Sequence, residues 1–270
     1  YAIYARRILK LDPIDGLNED PGASDRGTLY HEIIERYSKR GLIPGTPSSF
    51  EAMEEIIDAC FAEMNLPVHI DVIWRPRFRS VAQSFIRWEE QRHRSVQKSY
   101  FEAGAGFDIP EAKLRLTGIA DRIDMLKSGG ADIIDYKTGM SPSVKQARSL
   151  LDPQLSLEAA VLLRGGFKNV PRATPQDLLY VRLKPGDGFK TERVNNEDST
   201  RAGSVPKSAV ELAGDAIEQL TRFTAALRDG QQGFASRLIP EQQNAYGAEY
   251  DHLARVSEWS TTEAGDGDAE

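Results

Sequence analysis

Two short stretches of the chain decide its fold: residues 118–124 read GIADRID, and residues 133–139 read IIDYKTG. Both are rich in strand-forming residues, and the SGG sequence at 128–130 is typical of a tight turn, so we predict an antiparallel hairpin. Side chains two residues apart in a strand share a face, which places Asp135 and Lys137 on one face about 6–7 Å apart. The hairpin therefore carries a carboxylate and an amine side by side.

The register of this hairpin decides which acidic side chains meet. A three-residue turn at 128–130 places Asp121 opposite Lys137, and Asp135 then lies diagonally from Asp121, about 7 Å away. A four-residue loop would place Asp121 opposite Tyr136 unless a bulge restored the parity. We predict the three-residue turn or its bulged equivalent.

Two carboxylates beside a lysine favour a site for a hard divalent cation. Mg²⁺ prefers oxygen ligands and keeps several waters, so Asp121, Asp135, a backbone carbonyl and water would suffice. Such a cation acidifies water and stabilises charge on a phosphoryl oxygen. Lys137 can orient that water or offset charge on the phosphate. The alternative is a surface salt bridge among the same three side chains, and spacing alone leaves both interpretations open.

Composition excludes several classes of protein. The chain has 270 residues, of which 40% are hydrophobic and 28% charged, which is typical of a globular protein. No apolar run approaches the roughly 18 residues of a membrane span, so we expect no membrane partner. Cys60 is the one cysteine, which excludes an intramolecular disulfide and any all-cysteine metal site. We interpret Cys60 as a core residue.

Periodicity along the rest of the chain predicts helices around a small mixed sheet, which is an α/β fold. We place Pro76 in the first turn of the third helix. The predicted helices cover 24–39, 49–64, 76–94, 144–150, 153–163 and 209–228, and the predicted strands cover 99–109, 113–126, 131–137 and 178–183. We expect one domain at 1–260, made of a helical part at 1–98, a sheet core at 99–183, a mobile loop at 184–207 and a C-terminal helical part at 208–260. A disordered acidic tail is expected at 261–270.

The formal net charge of −7 argues against a nucleic-acid partner, yet the charge is unevenly distributed. The last ten residues hold four acids and no base, whereas residues 74–98 hold seven bases and two acids. The basic stretch is either a solvated helix face or a surface that contacts phosphates. On the second interpretation, Arg79, Arg87 and Arg94 are the expected DNA-binding residues.

Together with two further motifs, the strand motifs resemble the PD-(D/E)XK nuclease superfamily and, within it, the RecB-like branch. That branch places a histidine on an upstream helix, matched by His31 in RGTLYH at 26–31. It also places a glutamine on the helix after the lysine strand, matched by Gln154 in DPQL at 152–155. The family order is His31, Asp121, Asp135, Lys137, Gln154. The resemblance implies a restriction-endonuclease-like core, a small mixed sheet flanked by helices, and a DNA nuclease activity.

The resemblance also implies a role for each motif residue. Lys137 would assist the attacking water, and Gln154 would position a phosphate or a water. Mg²⁺, or Mn²⁺ in its place, would be held by His31, Asp121, Asp135 and the backbone carbonyl of Tyr136.

Within the branch, residues 1–9 and 246–259 look most like the C-terminal nuclease domain of AddB-type helicase–nuclease subunits. This resemblance implies an AddA-type partner subunit, repair of double-strand breaks by recombination, and a single DNA strand delivered from a duplex end. It also implies a bacterial, cytoplasmic location. Because the first residue is Tyr1, we expect a piece of a longer chain or a processed product, with the rest of that chain as a further partner.

Two positions depart from the family pattern. Glu158 stands four residues after Gln154, where many members have a tyrosine, so the role of that tyrosine is open. Many AddB-type domains carry an iron–sulfur cluster with three cysteines near the C-terminus. Residues 246–259 contain none, and we expect no such cluster.

Three rival interpretations follow from the sequence. The HEIIE sequence at 31–35 resembles the zinc-protease pattern His-Glu-x-x-His, but Glu35 replaces the second histidine, so that interpretation fails. A catalytically silent DNA-binding or scaffold module would be expected to lack the lysine or an acid, and all are present. A free-standing RecB-like exonuclease is the remaining alternative.

Overall fold

The computed structural model describes residues 4–11, 20–139, 142–200 and 205–230, together with residues 250, 253 and 255. The chain divides into two compact units, which are residues 20–224 and the two chain ends, 1–19 with 225–270. In the unit of the chain ends, the Tyr250 hydroxyl donates a hydrogen bond to the Leu11 carbonyl at 2.7 Å. The single domain at 1–260 stays a prediction, and the tail at 261–270 lies outside the described residues.

The larger unit is built on a sheet of five strands, β1 (Val96–Ile109), β2 (Leu114–Leu126), β3 (Ala131–Lys137), β4 (Pro175–Arg182) and β5 (Lys190–Arg193). Their order in the sheet is β1-β2-β3-β4-β5. β3 and β4 are parallel, and the other neighbouring strands are antiparallel. The predicted small mixed sheet is confirmed.

The described helices are α1 (Ala23–Lys39), α2 (Pro47–Met64), α3 (Val68–Arg92), α4 (Val144–Arg148), α5 (Gln154–Arg164) and α6 (Ala209–Arg228). α1, α2 and α3 pack against the face of the sheet that carries Ile134 and Tyr136. α5 and the first half of α6 pack against the opposite face, which carries Ile133 and Tyr180. Because side chains alternate along a strand, β3 is buried on both faces and forms the centre of the fold. None of these described helices has the length and apolar character that a membrane crossing requires.

The third helix begins earlier than the sequence predicts. α3 begins at Val68, and Pro76 lies inside it rather than in its first turn. Proline removes one hydrogen bond from a helix interior and commonly kinks it. Here Trp74 and Phe78 on either side are buried in the core, and their packing keeps the helix continuous.

The stretch 184–207, which the sequence predicts as a loop, contains β5 at its beginning. Tyr180 pairs with Glu192 and Arg182 pairs with Lys190, and the Arg182 guanidinium donates to the Glu192 carboxylate at 2.6 Å. The prediction of a loop is wrong for these four residues. Their polar composition concealed a short edge strand, which needs only one pairing partner and no apolar face.

The predicted register of the β2–β3 hairpin is also wrong. Met125 pairs with Ala131, so five residues rather than three connect the strands. Continued along the strands, this register places Asp121 opposite Asp135 rather than opposite Lys137. A shift of two residues leaves every side chain on its own face. The two carboxylates therefore still share a face, as the site requires.

Candidate active site

The site begins where the β2–β3 ladder ends. Arg122 and Ile134 form the last pair of this ladder. At the preceding residue of β2, Asp121, the side chain rather than the backbone forms the hydrogen bond to β3. The Asp121 carboxylate accepts a hydrogen bond from the backbone N–H of Tyr136 at 2.8 Å. This contact satisfies a buried backbone donor and holds Asp121 at the point where the two strands diverge.

Asp135, Lys137 and Gln154 form a closed ring of contacts beside this point. The Lys137 ammonium lies 2.8 Å from one oxygen of Asp135 and donates to the Gln154 side-chain oxygen at 3.2 Å. The Gln154 amide donates to the other oxygen of Asp135 at 2.7 Å. α5 begins at Gln154, so the first residue of that helix fixes both charged side chains.

His31 reaches the site from α1. A Cβ atom on Gly27 would lie only 3.1 Å from the Thr138 hydroxyl, so glycine in the RGTLYH motif allows α1 to approach the end of β3. His31 Nε2 lies 3.0 Å from the Tyr136 carbonyl oxygen, and its Nδ1 lies 3.7 Å from Asp121. Burial lowers the pKa of His31, which favours its neutral imidazole. The tautomer assigned from these partners donates from Nε2 and leaves Nδ1 unprotonated toward Asp121.

Burial makes the ionised forms of both aspartates unfavourable. Burial, followed by the charge of Asp135, raises the pKa of Asp121 to about 7. Burial also raises the pKa of Asp135, although Lys137 acts in the opposite direction. Two buried carboxylates, an imidazole and a carbonyl oxygen are donors that suit a divalent cation. The residues present therefore fit a bound metal.

Glu102 on β1 belongs to the site and was missed by sequence reasoning. Its neighbours pair with the neighbours of Asp121 (Phe101 with Arg122, Ala103 with Ala120). Its φ of +47° is uncommon for a residue other than glycine. Donor atoms of His31, Glu102 and Asp121 all lie within 4.8 Å of one another. No sequence signal marked Glu102, because neither the strand pattern nor the motifs predict its backbone conformation.

A cleft of about 500 Å³ is lined by His31, Glu102 and Asp121, together with Gly27, Thr28, Glu32 and Glu35. Its wall is mainly acidic and opens next to Asp121, so it suits cations and water better than a bare phosphate.

Glu158 is the second residue that the sequence analysis did not place in the site. Its carboxyl accepts from the Gln154 amide at 3.1 Å, and burial raises its pKa to about 8. Its other oxygen, Oε2, is buried without a hydrogen-bond partner in the described part of the chain. The signal available in the sequence was its spacing of four residues from Gln154 on a helix.

A buried ionic network contacts the hydroxyl end of the Tyr136 side chain. Arg122 is 2% exposed, ion-pairs with Glu89 and with Asp124 at 2.7 Å, and donates to the Tyr136 hydroxyl at 3.2 Å. Asp124 therefore faces away from Asp121, as the opposite parity of the two residues requires. The network holds the residue whose carbonyl contacts His31.

The three arginines predicted to bind DNA have different surroundings. Arg79 ion-pairs with Glu54 at 2.7 Å and with Asp58 at 3.1 Å. Arg87 and Arg94 are exposed, and neither forms an ion pair with another described residue. The structure does not bring any of the three into contact with Asp121, Asp135, Lys137 or Gln154.

The mixed sheet brings two carboxylates and a lysine together at the ends of two strands, and these groups suit a divalent cation. In agreement, a model of the PD-(D/E)XK nuclease superfamily matches residues 1–246. The chain belongs to that superfamily, whose members generally use divalent metals such as Mg²⁺.

Two uncharacterized proteins are similar to the chain. One, from Rickettsia bellii, is 33% identical over 169 residues, and the other, from Rickettsia typhi, is 32% identical over 173 residues. Each match covers 62% of this chain and 20% of the relative, so the chain spans about a fifth of the length of the curated relatives it matches. The crystal structure of SSO0001 is similar with a TM-score of 0.31 and 12% identity, over 89% of this chain and 87% of that one.

Proposed function

We propose that the chain is a Mg²⁺-dependent deoxyribonuclease domain that hydrolyses phosphodiester bonds. The observation that carries this proposal is the meeting of Asp121, Asp135, Lys137 and Gln154 where β2 and β3 diverge. Membership of a nuclease superfamily supports it. The raised pKa of Asp121, caused first by burial and then by the charge of Asp135, supports it as well, because a bound cation would stabilise the ionised carboxyl.

Asp121, Asp135 and the carbonyl oxygen of Tyr136 would hold Mg²⁺, and His31 would complete the set. Glu102 adds one more donor next to His31 and Asp121. When bound, Mg²⁺ makes water more acidic and offsets the negative charge on phosphoryl oxygens. Mn²⁺ has similar ligand preferences and would substitute for it.

Lys137 is the side chain that brings a positive charge to Asp135 and Gln154. In hydrolysis the water oxygen bonds to phosphorus and one P–O ester bond breaks, which leaves a phosphate monoester and a hydroxyl group. Because its ammonium is held by both Asp135 and Gln154, Lys137 can donate to the water or to a phosphate oxygen with little reorganisation. The centroid of the Tyr180 ring lies 5.6 Å from the Lys137 nitrogen, which places a cation–π contact beside that amine.

We further propose that the substrate is a single DNA strand delivered from a duplex end, and that the domain acts as an exonuclease. Arg87 and Arg94 are the exposed bases of the predicted DNA-binding set and would contact phosphates without reading sequence. The ion pairs of Arg79 with Glu54 and Asp58 make it the weakest of the three for that role.

The cellular context is proposed from the resemblance to AddB-type subunits. On this proposal the domain is part of a longer chain, works with an AddA-type partner in the bacterial cytoplasm, and processes double-strand breaks for recombinational repair. The matched Rickettsia proteins support only the longer chain in this proposal, because the match is a fifth of their length. A free-standing RecB-like exonuclease is the alternative.

Purified protein incubated with end-labelled single-stranded and duplex DNA tests the activity. Cleavage in Mg²⁺ or Mn²⁺, its loss in EDTA, and its loss in Asp135→Ala are the expected results. If the protein binds Mn²⁺ and DNA and yet leaves both substrates intact, it is a silent binding module and the proposed activity is wrong. Blocking one end of the strand at a time then separates exonuclease from endonuclease action.

A further inference from the structure

A second cavity, of about 200 Å³, lies next to the catalytic side chains. Gln154, which contacts both Asp135 and Lys137, forms part of its wall. Leu157 and Phe167 add apolar surface to the wall. The side chain of Gln154 therefore contacts both the cavity and the reacting groups.

Two features of this cavity favour a ligand. Gly118 on β2 lines it, and a Cβ atom on Gly118 would meet nothing within 4 Å, so the missing side chain leaves open space. Glu158 also lines it, and its buried Oε2 has no hydrogen-bond partner among the described residues. A buried polar atom without a partner is unfavourable, and rotation of the Glu158 side chain toward the cavity would bring Oε2 to a polar group of a ligand.

We propose that this cavity binds the nucleobase adjacent to the scissile phosphate. The proposal rests on the function proposed above and deepens it by assigning a subsite for the substrate. Pockets for drug-sized ligands are about 300–1,000 Å³, so a smaller cavity suits one ring system rather than a whole nucleotide. Apolar walls suit the faces of a base, and the Glu158 carboxyl suits a polar group on its edge.

This subsite would connect substrate binding to catalysis. A base in the cavity contacts Gln154, which in turn contacts Lys137 and Asp135. The phosphate attached to that nucleotide is then held at a fixed position relative to those two groups. A base paired in a duplex cannot enter without unstacking, which has a free-energy cost of a few kcal/mol. The cavity therefore favours a single strand. Ile119, a lining residue that is 59% exposed, offers an apolar contact to the entering base.

Equilibrium binding of labelled oligonucleotides, each with an abasic residue at a different position, tests the subsite. Binding is measured by fluorescence anisotropy in Ca²⁺, a hard cation that also takes oxygen ligands, so the result does not depend on cleavage. For the wild type we expect one position at which loss of the base weakens binding about tenfold, within the range typical of one bound base. Gly118→Val should fill the cavity and remove the difference between the intact and abasic strands.

Gly104→Val is the matched control. Gly104 lies on the adjacent strand, a Cβ atom there would also meet nothing within 4 Å, and it does not line the cavity. This variant should retain the abasic effect of the wild type, and thermal unfolding should show that both valine variants are folded. An equal abasic effect in the wild type and Gly118→Val overturns the subsite, as does a wild type that is insensitive at every position.

The same proteins separate the subsite from the activity. If the abasic scan is flat while Mg²⁺-dependent cleavage occurs, the subsite is wrong and the proposed function stands. If one position is sensitive and Gly118→Val removes that sensitivity, but no DNA is cut, the cavity binds a base and the proposed activity is wrong. A protein that neither binds nor cuts DNA contradicts both.

Discussion

Asp121→Asn should stabilise the metal-free protein at alkaline pH and abolish its stabilisation by Mg²⁺. The carboxyl side chain is 18% exposed and accepts a hydrogen bond from the backbone of Tyr136. Asparagine keeps an oxygen acceptor for that bond and removes the charge. The substitution therefore isolates the effect of a buried negative charge that a cation would otherwise offset.

The magnitude follows from the pKa of Asp121. A rise from the usual 3.8 to about 7 is a shift of about 3 pH units, or about 4 kcal/mol at about 1.36 kcal/mol per unit. Below pH 3.8 the carboxyl is protonated in both the folded and the unfolded chain, so the wild type bears no penalty. Between these two pKa values only the unfolded chain ionises, and wild-type stability falls as pH rises. Above about 7 the loss is complete, and the variant should be more stable by up to about 4 kcal/mol.

Urea denaturation followed by circular dichroism measures this difference, in EDTA at about pH 5 and about pH 9. Mg²⁺ should narrow the difference, because binding to the folded state stabilises the wild type alone, and the order reverses where its concentration exceeds about 1,000 times the Kd. Asp108→Asn is the control, since the Asp108 side chain is 70% exposed and a surface change of this kind is typically worth under about 0.5 kcal/mol. An Asp121→Asn variant that is no more stable than the wild type at about pH 9 in EDTA refutes the reasoning.

Three further predictions concern the neighbouring groups. Lys137→Met should lower single-turnover cleavage by about 10²–10³-fold with little change in Mn²⁺ affinity by calorimetry, and an equal loss of both would contradict its separate role. Glu158→Gln keeps an acceptor for the Gln154 amide and should cleave at close to the wild-type rate, whereas Glu158→Leu should be about tenfold slower, in line with the loss of a hydrogen bond; equal rates would exclude a positioning role. Arg87→Ala should reduce the salt dependence of DNA binding by about one unit of log–log slope, and the ion-paired Arg79→Ala should change it less. The same slope in the wild type and Arg87→Ala would show that Arg87 lies on a solvated helix face and does not contact DNA phosphates.

Much of the site was predictable because strand parity is a local property. The alternation of β3 placed Asp135 and Lys137 on one face without any knowledge of the fold. Asp121 joined them even though the predicted turn was too short by two residues, because such a shift does not change the face. His31 and Gln154 followed from the motif order, and the structure brings both to the same strand ends.

The remaining features depend on long-range contacts that composition does not reveal. Seven bases between 74 and 98 suggested a positive surface, yet Arg92 pairs with Asp124 and Asp132, which are distant in sequence. Glu102 reaches the site through a left-handed backbone conformation in β1, which strand propensity disfavours. The environment of Glu158 depends on the packing of α5 against β3 and β4, so its buried oxygen could not be inferred from its spacing.

The central claim is that the carboxylates at the β2–β3 divergence hold a divalent cation for phosphodiester hydrolysis. The most direct measurement is the rate of cleavage of end-labelled single-stranded DNA by the wild type and Asp135→Asn, with Mg²⁺ and with EDTA. We predict cleavage only by the wild type with Mg²⁺, and none by the variant under either condition. Cleavage that persists in EDTA, or equal cleavage by the two proteins, would contradict the claim.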